Sequence, residues 1–530
     1  MSYKMQKRNS PKQHNFAEVP AADIQRSSFN RSHTHKTCMD AGYLYPIYVD
    51  ECLPGDTFKM NTSVFARMAT PLFPVLDNAV MSVHFFAVPK RLLWDNFEKF
   101  MGAQENPGDS TSFNIPEVQM PASGVGVNSF EDYIGIPLGY EGNVNSWWHR
   151  AYPKIWNEWY RDENLQDSET VPLDDGPDPA VTSRLLKRGK RHDYFTSCLP
   201  FAQKGPAVDL PLGTTAPVVG DGNIPLLDIN GTDEGLAKTF VVNSQYAFTT
   251  SNSTTADASP LFSTTQTGLQ ADLSNATAAT INSLRMAFQL QRMYERDARG
   301  GTRYIEAIKA HFNVTSPDAR LQRSEFLGGG KINLSINPVP NTAGPDFFAG
   351  EGRVGDLSGV GTIAGSGMGF NKSFTEDMIV MGIACITCDL TYQQGLNRMF
   401  SRRTRFDNYF PALSHLGEQE VLNKEIYADN SAADDETFGY QERYAEYRYY
   451  PSRISSIMRS TAANSLDAWH YSQEFASLPT LSADFIEENP PISRVIAVQS
   501  EPEFIVDMYF NLICDRPMPV YSVPGLIDHF

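Results

Sequence analysis

Apolar and polar residues alternate with a period of two over residues 57–68. Phe58, Met60, Thr62, Val64, Ala66 and Met68 share one face, and Thr57, Lys59, Asn61, Ser63 and Arg67 the other, with Phe65 as the one apolar lapse. That pattern predicts a half-buried strand. Over residues 79–88, Ala79, Met81, Val83, Phe85 and Ala87 share a face, while the opposite face mixes Val80, Phe86 and Val88 with Ser82 and His84. A strand covered on both sides is expected there. The link between the two carries Pro71 and Pro74, which cannot donate to a ladder, and the turning pair Asp77-Asn78. The two runs are therefore expected to form an antiparallel pair. Residues 378–390 are apolar on both faces, which predicts a central strand, and residues 504–514 alternate most cleanly of all. Strong strands thus lie near both ends of the chain, and one core requires the last to return beside the first, as Greek-key and jelly-roll sheets do.

Between these runs the period changes. Trp148, Tyr152, Ile155, Trp156 and Trp159 recur at helical spacing and read as a packing stripe, with Pro153 starting or kinking the helix. A second helix is expected over residues 282–299, buried except for a basic seam of Arg285, Arg292 and Arg296 beside Gln289. Residues 106–145, rich in Gly, Pro, Ser and Asn, read as a surface excursion. Residues 205–280 shift to Thr, Ser, Gly, Ala, Asn and Asp, the composition of a solvent-exposed insertion. Four regions follow: 1–36, a basic arm; 37–204, the first part of the core with loop excursions; 205–280, the insertion; and 281–530, helical insertions with the remaining strands.

Composition narrows the function classes. Hydrophobic residues make up 41% of the 530, and charged residues 20%, enough for a packed core. The six cysteines, Cys38, Cys52, Cys198, Cys385, Cys388 and Cys514, are sparse and irregular, so free buried thiols are expected rather than a disulfide framework. No apolar run reaches membrane-spanning length. A net charge of −18 argues against a chain that coats nucleic acid with its whole surface. The arm is the exception: Lys4, Lys7, Arg8, Lys12, Arg26, Arg31 and Lys36 face only Glu18 and Asp23 among residues 1–36, a composition suited to DNA. A second basic cluster, Lys187, Arg188, Lys190 and Arg191, precedes Tyr194 and Phe195, and cations beside aromatics can grip a phosphate and a base.

Catalytic and metal chemistry finds little support. Cys385 and Cys388 have the spacing of a metal knuckle, but no second pair exists, and odd spacing on a strand sends the thiols to opposite faces. His33 and His35 lack a third ligand partner in sequence. The glycines at 359–369 lack the spacing of a phosphate cradle and read as turns. Asp434, Asp435 and Glu436 sit among Ser, Ala and Thr, as in a solvated loop. No cofactor, metal or enzymatic activity is expected.

The wording of several segments is nonetheless specific. Phe29-Asn30-Arg31-Ser32-His33, Asp40-Ala41-Gly42-Tyr43-Leu44, residues 50–58, Val88-Pro89-Lys90-Arg91-Leu92 and residues 191–197 carry a resemblance, as do Glu295-Arg296-Asp297-Ala298-Arg299-Gly300-Gly301, residues 390–396, Arg402-Arg403-Thr404-Arg405-Phe406, Phe438-Gly439-Tyr440-Gln441-Glu442-Arg443, Phe475-Ala476-Ser477-Leu478-Pro479 and residues 516–530. In these the chain resembles the major capsid proteins of microviruses, small single-stranded DNA bacteriophages, and the gokushovirus branch in particular. The resemblance implies a mainly β fold: a single eight-stranded antiparallel viral jelly roll with very long loop insertions containing short helices. It implies a T=1 icosahedral shell around a circular genome, assembled in the bacterial host cytoplasm, with residues 205–280 as a threefold protrusion exposed for host attachment. The implied partners are copies of the chain, the single-stranded DNA genome, a small basic DNA-binding protein, a DNA-pilot minor protein, an internal scaffolding protein and a host surface receptor. Arg402, Arg403 and Arg405, with Arg285, Arg292 and Arg296, are expected to contact either neighbouring subunits or DNA. The competing class is a carbohydrate-binding or carbohydrate-active jelly roll, which would need two carboxylates facing one cleft.

Overall fold

Among the described residues, ten strands build the core. They are β1 (Ser27–Asn30), β2 (His33–Met39), β3 (Tyr45–Cys52), β4 (Thr57–Met68), β5 (Ala79–Pro89), β6 (Glu325–Asn333), β7 (Ser335–Pro340), β8 (Leu357–Ser373), β9 (Met378–Cys388) and β10 (Phe504–Arg516). This computed structural model describes residues 25–179, 184–204, 218–220, 240–242, 248–250, 269–271, 281–300, 304–313, 322–342 and 355–521. The chain divides into two units, Met1–Ala202 with Thr315–Phe530, and Gln203–Val314.

In the larger unit, one sheet runs β1-β10-β4-β8-β7 with β2 also paired to β10, and the other runs β6-β5-β9-β3. All these ladders are antiparallel, and they are nested: β2 lies on β10, β3 on β9, β4 on β8 and β5 on β6. A single long ribbon is thus wrapped into two sheets, which is jelly-roll connectivity. The last strand does come home beside the first ones, since β10 pairs with β1, β2 and β4.

The alternation patterns explain which side of each sheet is dry. Even positions of β4 and β10, from Phe58 to Met68 and from Phe504 to Cys514, point into the core between the sheets, and their odd positions face outward. The second sheet is covered on both sides. Met81, Val83, Phe85, Val380, Ala384 and Ile386 face the first sheet, and Phe86, Val88, Ile379, Met381 and Ile383 face a second cluster. Helix α1 (Trp147–Trp159) closes that second cluster with Trp147, Ala151, Tyr152, Ile155 and Trp156. Its stripe starts one residue earlier than the sequence suggests, and Trp159 at the far end is 38% exposed. Cys385 and Cys388 fall on opposite faces of β9, in different clusters, and the six cysteines are free.

Two expectations are corrected. β4 and β5 do not pair with each other: β4 lies between β10 and β8, and β5 between β6 and β9. Their proline-marked link is long enough to cross the roughly 10 Å between stacked sheets, and it does so instead of closing a hairpin. The glycines at 359–369 are not turns but part of the long strand β8, with a bulge between Gly365 and Met368 where Gly367 has φ +90°. A Cβ on Gly369 would come within 2.0 Å of the Met60 carbonyl oxygen, so glycine is what lets β8 lie against β4.

Candidate interaction surface

The basic cluster at 187–191 is a strap. Its backbone joins two loops, with the Arg188 N–H donating to the Gly42 carbonyl at 2.8 Å, the Lys190 N–H to Ile486 at 2.7 Å, and the Glu488 N–H to Arg188 at 2.8 Å. Its side chains are engaged inside the subunit. Arg188 donates to Ser82 Oγ at 2.8 Å and lies over the Tyr160 ring. Lys187 sits 3.5 Å from Glu487 and over Tyr43, and Arg191 is 3.8 Å from Asp389. Lys190 is buried, donating to Gln473 Oε1 at 3.1 Å and the Phe485 carbonyl at 2.6 Å. Burial pulls its ammonium down to about 8, against the pull of Glu488 and Asp193. Tyr194 and Phe195 are buried too, Tyr194 stacked on Tyr449 and bonded to Glu425, Phe195 against Tyr392 and Phe438. A buried ammonium and buried rings are in no position to grip an incoming strand.

The basic arm divides in the same way. Lys4, Lys7, Arg8 and Lys12 lie outside the described residues. Arg26 is exposed, reaching Thr57 Oγ1 at 3.2 Å, and Lys36 is exposed beside Asp507 at 3.1 Å. Arg31 is bound to Asp50 by both guanidinium nitrogens. Residues 27–30 and 33–36 are strand, so the sheet begins well inside the stretch that reads as a polar arm.

In the larger unit, the excursion between β9 and β10 carries a group of exposed large apolar side chains. Phe400 is 68% exposed, Phe406 65%, Leu416 63% and Tyr450 63%, with Leu396, Met399, Tyr409 and Tyr447 also open. These residues are carried on well-anchored backbone: Arg398 donates to Glu425 at 2.8 Å and to the Glu420 carbonyl at 2.6 Å, and a capping box closes the turn at Thr404. The arginines expected there separate into two kinds. Arg402 is half-buried, its guanidinium 4.0 Å from the Tyr447 ring centre and 3.5 Å from Glu446. Arg403 and Arg405 are exposed between Phe400 and Phe406, with Arg405 over Phe410. No sequence signal flags the exposed rings, because residue type alone assigns Phe and Leu to a core and the loop has no period to say otherwise.

In the smaller unit, α2 (Ile281–Gly300) carries Arg285, Arg292 and Arg296 on its exposed surface. The expected burial of the remaining faces is not found: Met286, Phe288 and Met293 are 69%, 66% and 44% exposed. The short helix α3 (Tyr304–Phe312), joined to it through His311 and Asp297, packs along one side and leaves the others open. Among the described residues no group of three or more His, Cys, Asp or Glu could hold a metal ion, and no helix is long and apolar enough to cross a membrane.

The exposed apolar loops offer surfaces for association, and one pocket beside Lys190 is lined by Glu474, Asp484, Glu487 and Glu503. Comparison with known proteins agrees in kind. The family model described as capsid protein (F protein) matches residues 17–526. The chain is similar to capsid protein VP1 of Bdellovibrio phage phiMH2K, 46% identical over 98% of each chain, and to capsid protein VP1 of Chlamydia phage 1, 42% identical over 96% of this chain and 97% of that one. Capsid protein VP1 of Spiroplasma virus 4 is 34% identical over 99% and 100%.

Proposed function

Because this chain belongs to the phage F capsid-protein family, and is a structural coat protein of the microvirus, gokushovirus-like type, we propose that copies of it close into a T=1 icosahedral shell around a circular single-stranded DNA genome. The observation that carries this reading is the exposed apolar set on the anchored loops, Phe400, Phe406, Leu416 and Tyr450. Exposed apolar side chains gathered in one excursion mark a contact site, and closed symmetry lets identical contacts repeat until none is left open. Membership of the family replaces the carbohydrate-active reading of the same fold.

Charge supports the remaining partners. A coat of net charge −18 per chain does not neutralise a packaged genome, so a small basic DNA-binding protein accompanies it. An internal scaffold, a DNA-pilot minor protein and assembly in the host cytoplasm complete the scheme. Residues 205–280, polar and rich in Thr and Ser, form the protrusion that meets the host receptor. Size-exclusion chromatography and electron microscopy of the expressed chain, alone and with its scaffold, test the reading. Closed particles are expected, and a strict monomer under both conditions overturns it.

A further inference from the structure

The outward face of the first sheet is open, and its composition is unusual for this chain. Sheet faces left to solvent are ordinarily filled with Thr, Ser, Lys and Glu, yet Phe65 on β4 is 45% exposed and Tyr509 on β10 is 46% exposed. Both lie on paired strands rather than in loops. In the register, Tyr509 stands opposite Ser63 on β4, and Phe65 opposite Asp507 on β10. The two rings are therefore diagonal neighbours across one ladder, about 7–8 Å apart at the backbone. That is the spacing at which two successive unstacked bases can each cover one ring, as aromatic residues on adjacent strands of RNA-binding sheets do.

Groups suited to a sugar–phosphate chain surround the rings. Lys36, Lys59 and Arg67 stand on the same face against Asp507 and Asp515, each carboxylate already paired to a lysine, at 3.1 and 3.2 Å. Arg67 lies over Phe65, 5.7 Å from the ring centre, where a guanidinium can meet a phosphate and leave the ring free on its other side. Asn61 and Asn511 are cross-strand partners. Their side-chain oxygens accept from the Gly367 N–H and from Ser32 Oγ, which leaves the amide NH2 groups to donate. The named charges of this face are three cations against two carboxylates, a slight positive excess on a chain of net charge −18, with Arg67 the cation left over from the two lysine pairs. Ile505, opposite Arg67, is the one strongly exposed aliphatic residue on β4 and β10 of this face, and the direct neighbours of the rings are small, with Ser63 and Thr34 opposite Tyr509 and Ala364 opposite Phe65, so a second protein surface has little to grip beside them.

We infer that this sheet face is a single-stranded DNA platform, on which Phe65 and Tyr509 stack bases and Lys36, Lys59 and Arg67 hold phosphates. The inference deepens the coat reading by naming where the genome lies on the subunit, and it rests on that reading only for the source of the DNA. Flat rings take any base, so binding is sequence-tolerant, and a duplex, whose bases are already stacked, is excluded.

The test uses the full chain, unassembled, with a dye-labelled oligothymidylate of about 15 nucleotides read by fluorescence anisotropy. Phe65→Ala with Tyr509→Ala is expected to weaken binding by about fivefold to a hundredfold per ring. Phe65→Trp is expected to keep it, and a duplex of equal length to bind more weakly than the single strand. Lys36→Gln, Lys59→Gln and Arg67→Gln together lower the slope of log affinity against log salt by about 2. Unchanged oligonucleotide binding by the double alanine variant, with an unaltered melting curve, overturns the inference. So does a variant that binds DNA normally but no longer forms particles, which makes the face a subunit contact. Loss of oligonucleotide binding in the variant supports the inference even where the parent chain forms no particles, an outcome that instead removes the coat reading.

Discussion

Arg31 and Asp50 tie the two sheets together. Arg31 sits between β1 and β2 of the first sheet, and its two terminal nitrogens donate to the two oxygens of Asp50 on β3 of the second, at 2.5 and 3.0 Å. Tyr48 donates its hydroxyl to the same carboxylate at 2.6 Å. A forked pair of this kind fixes orientation as well as distance. Arg31→Met is expected to lower stability by about 2 kcal/mol in urea denaturation. Oligonucleotide binding by the folded fraction should not change.

Arg150 of α1 is buried and forked onto Asp178 at 2.8 and 2.5 Å, with its remaining nitrogen donating to the carbonyls of Leu93 and Asp174. Arg150→Met leaves a buried carboxylate without its cation, a loss expected to cost about 3–5 kcal/mol. Arg150→Met combined with Asp178→Leu should recover a large part of that in the same denaturation series, because the uncompensated charge is gone.

Gly369→Ala places a Cβ against the Met60 carbonyl and the Asn61 Cα, all of it backbone with nothing flexible to yield. The substitution is expected to separate β8 from β4 and to cost about 4 kcal/mol or more. Insoluble expression or a collapse of the melting temperature would register it, while an alanine variant with parental stability would show that the strands can move apart without loss.

Glu503, at the entry to β10, accepts the Ala41 N–H at 2.8 Å, and burial, with Asp40 nearby, pushes its carboxyl up to about 7. An acid whose folded value is raised holds its proton more tightly folded than unfolded. Its contribution to stability is therefore complete below the ordinary value of 4.5 and lost as pH rises through about 7. Glu503→Gln keeps an oxygen for Ala41 and has no proton to lose, so its melting temperature should fall less than the parent's between pH 5 and pH 8.

Phe400→Ser with Phe406→Ser removes exposed rings that touch little in the single chain. Stability should stay within about 0.5 kcal/mol of the parent by thermal melt. Particles counted by electron microscopy should be lost or greatly reduced if these rings form the subunit contact.

Much of the fold was legible before any coordinates. The bounds of β4, the two dry faces of β5 and β9, the clean alternation of β10 and the need for the last strand to lie beside the first all follow from side-chain period, because a strand sends successive side chains to opposite faces. Phe65 stood out as the single apolar residue on the wet face of β4, and the fold gives that lapse a neighbour, Tyr509, that no local pattern connects to it. The site was less legible. Lys187, Arg188, Lys190 and Arg191 read as a cluster awaiting a partner, and the structure buries Lys190 with the neighbouring rings Tyr194 and Phe195 and turns Arg188 inward to Ser82.

What the sequence by itself determined is which faces are dry, where extended backbone begins and ends, and that the chain is acidic with a basic start. Only the tertiary structure decided that β4 and β5 belong to different sheets, that Gly369 lies in close contact with Met60, and that Phe65 shares a face with Tyr509 more than 400 residues away. The reason is range: periodicity reports on backbone geometry within a few residues, whereas sheet membership, close approach and charge pairing depend on which distant segments the buried core brings together.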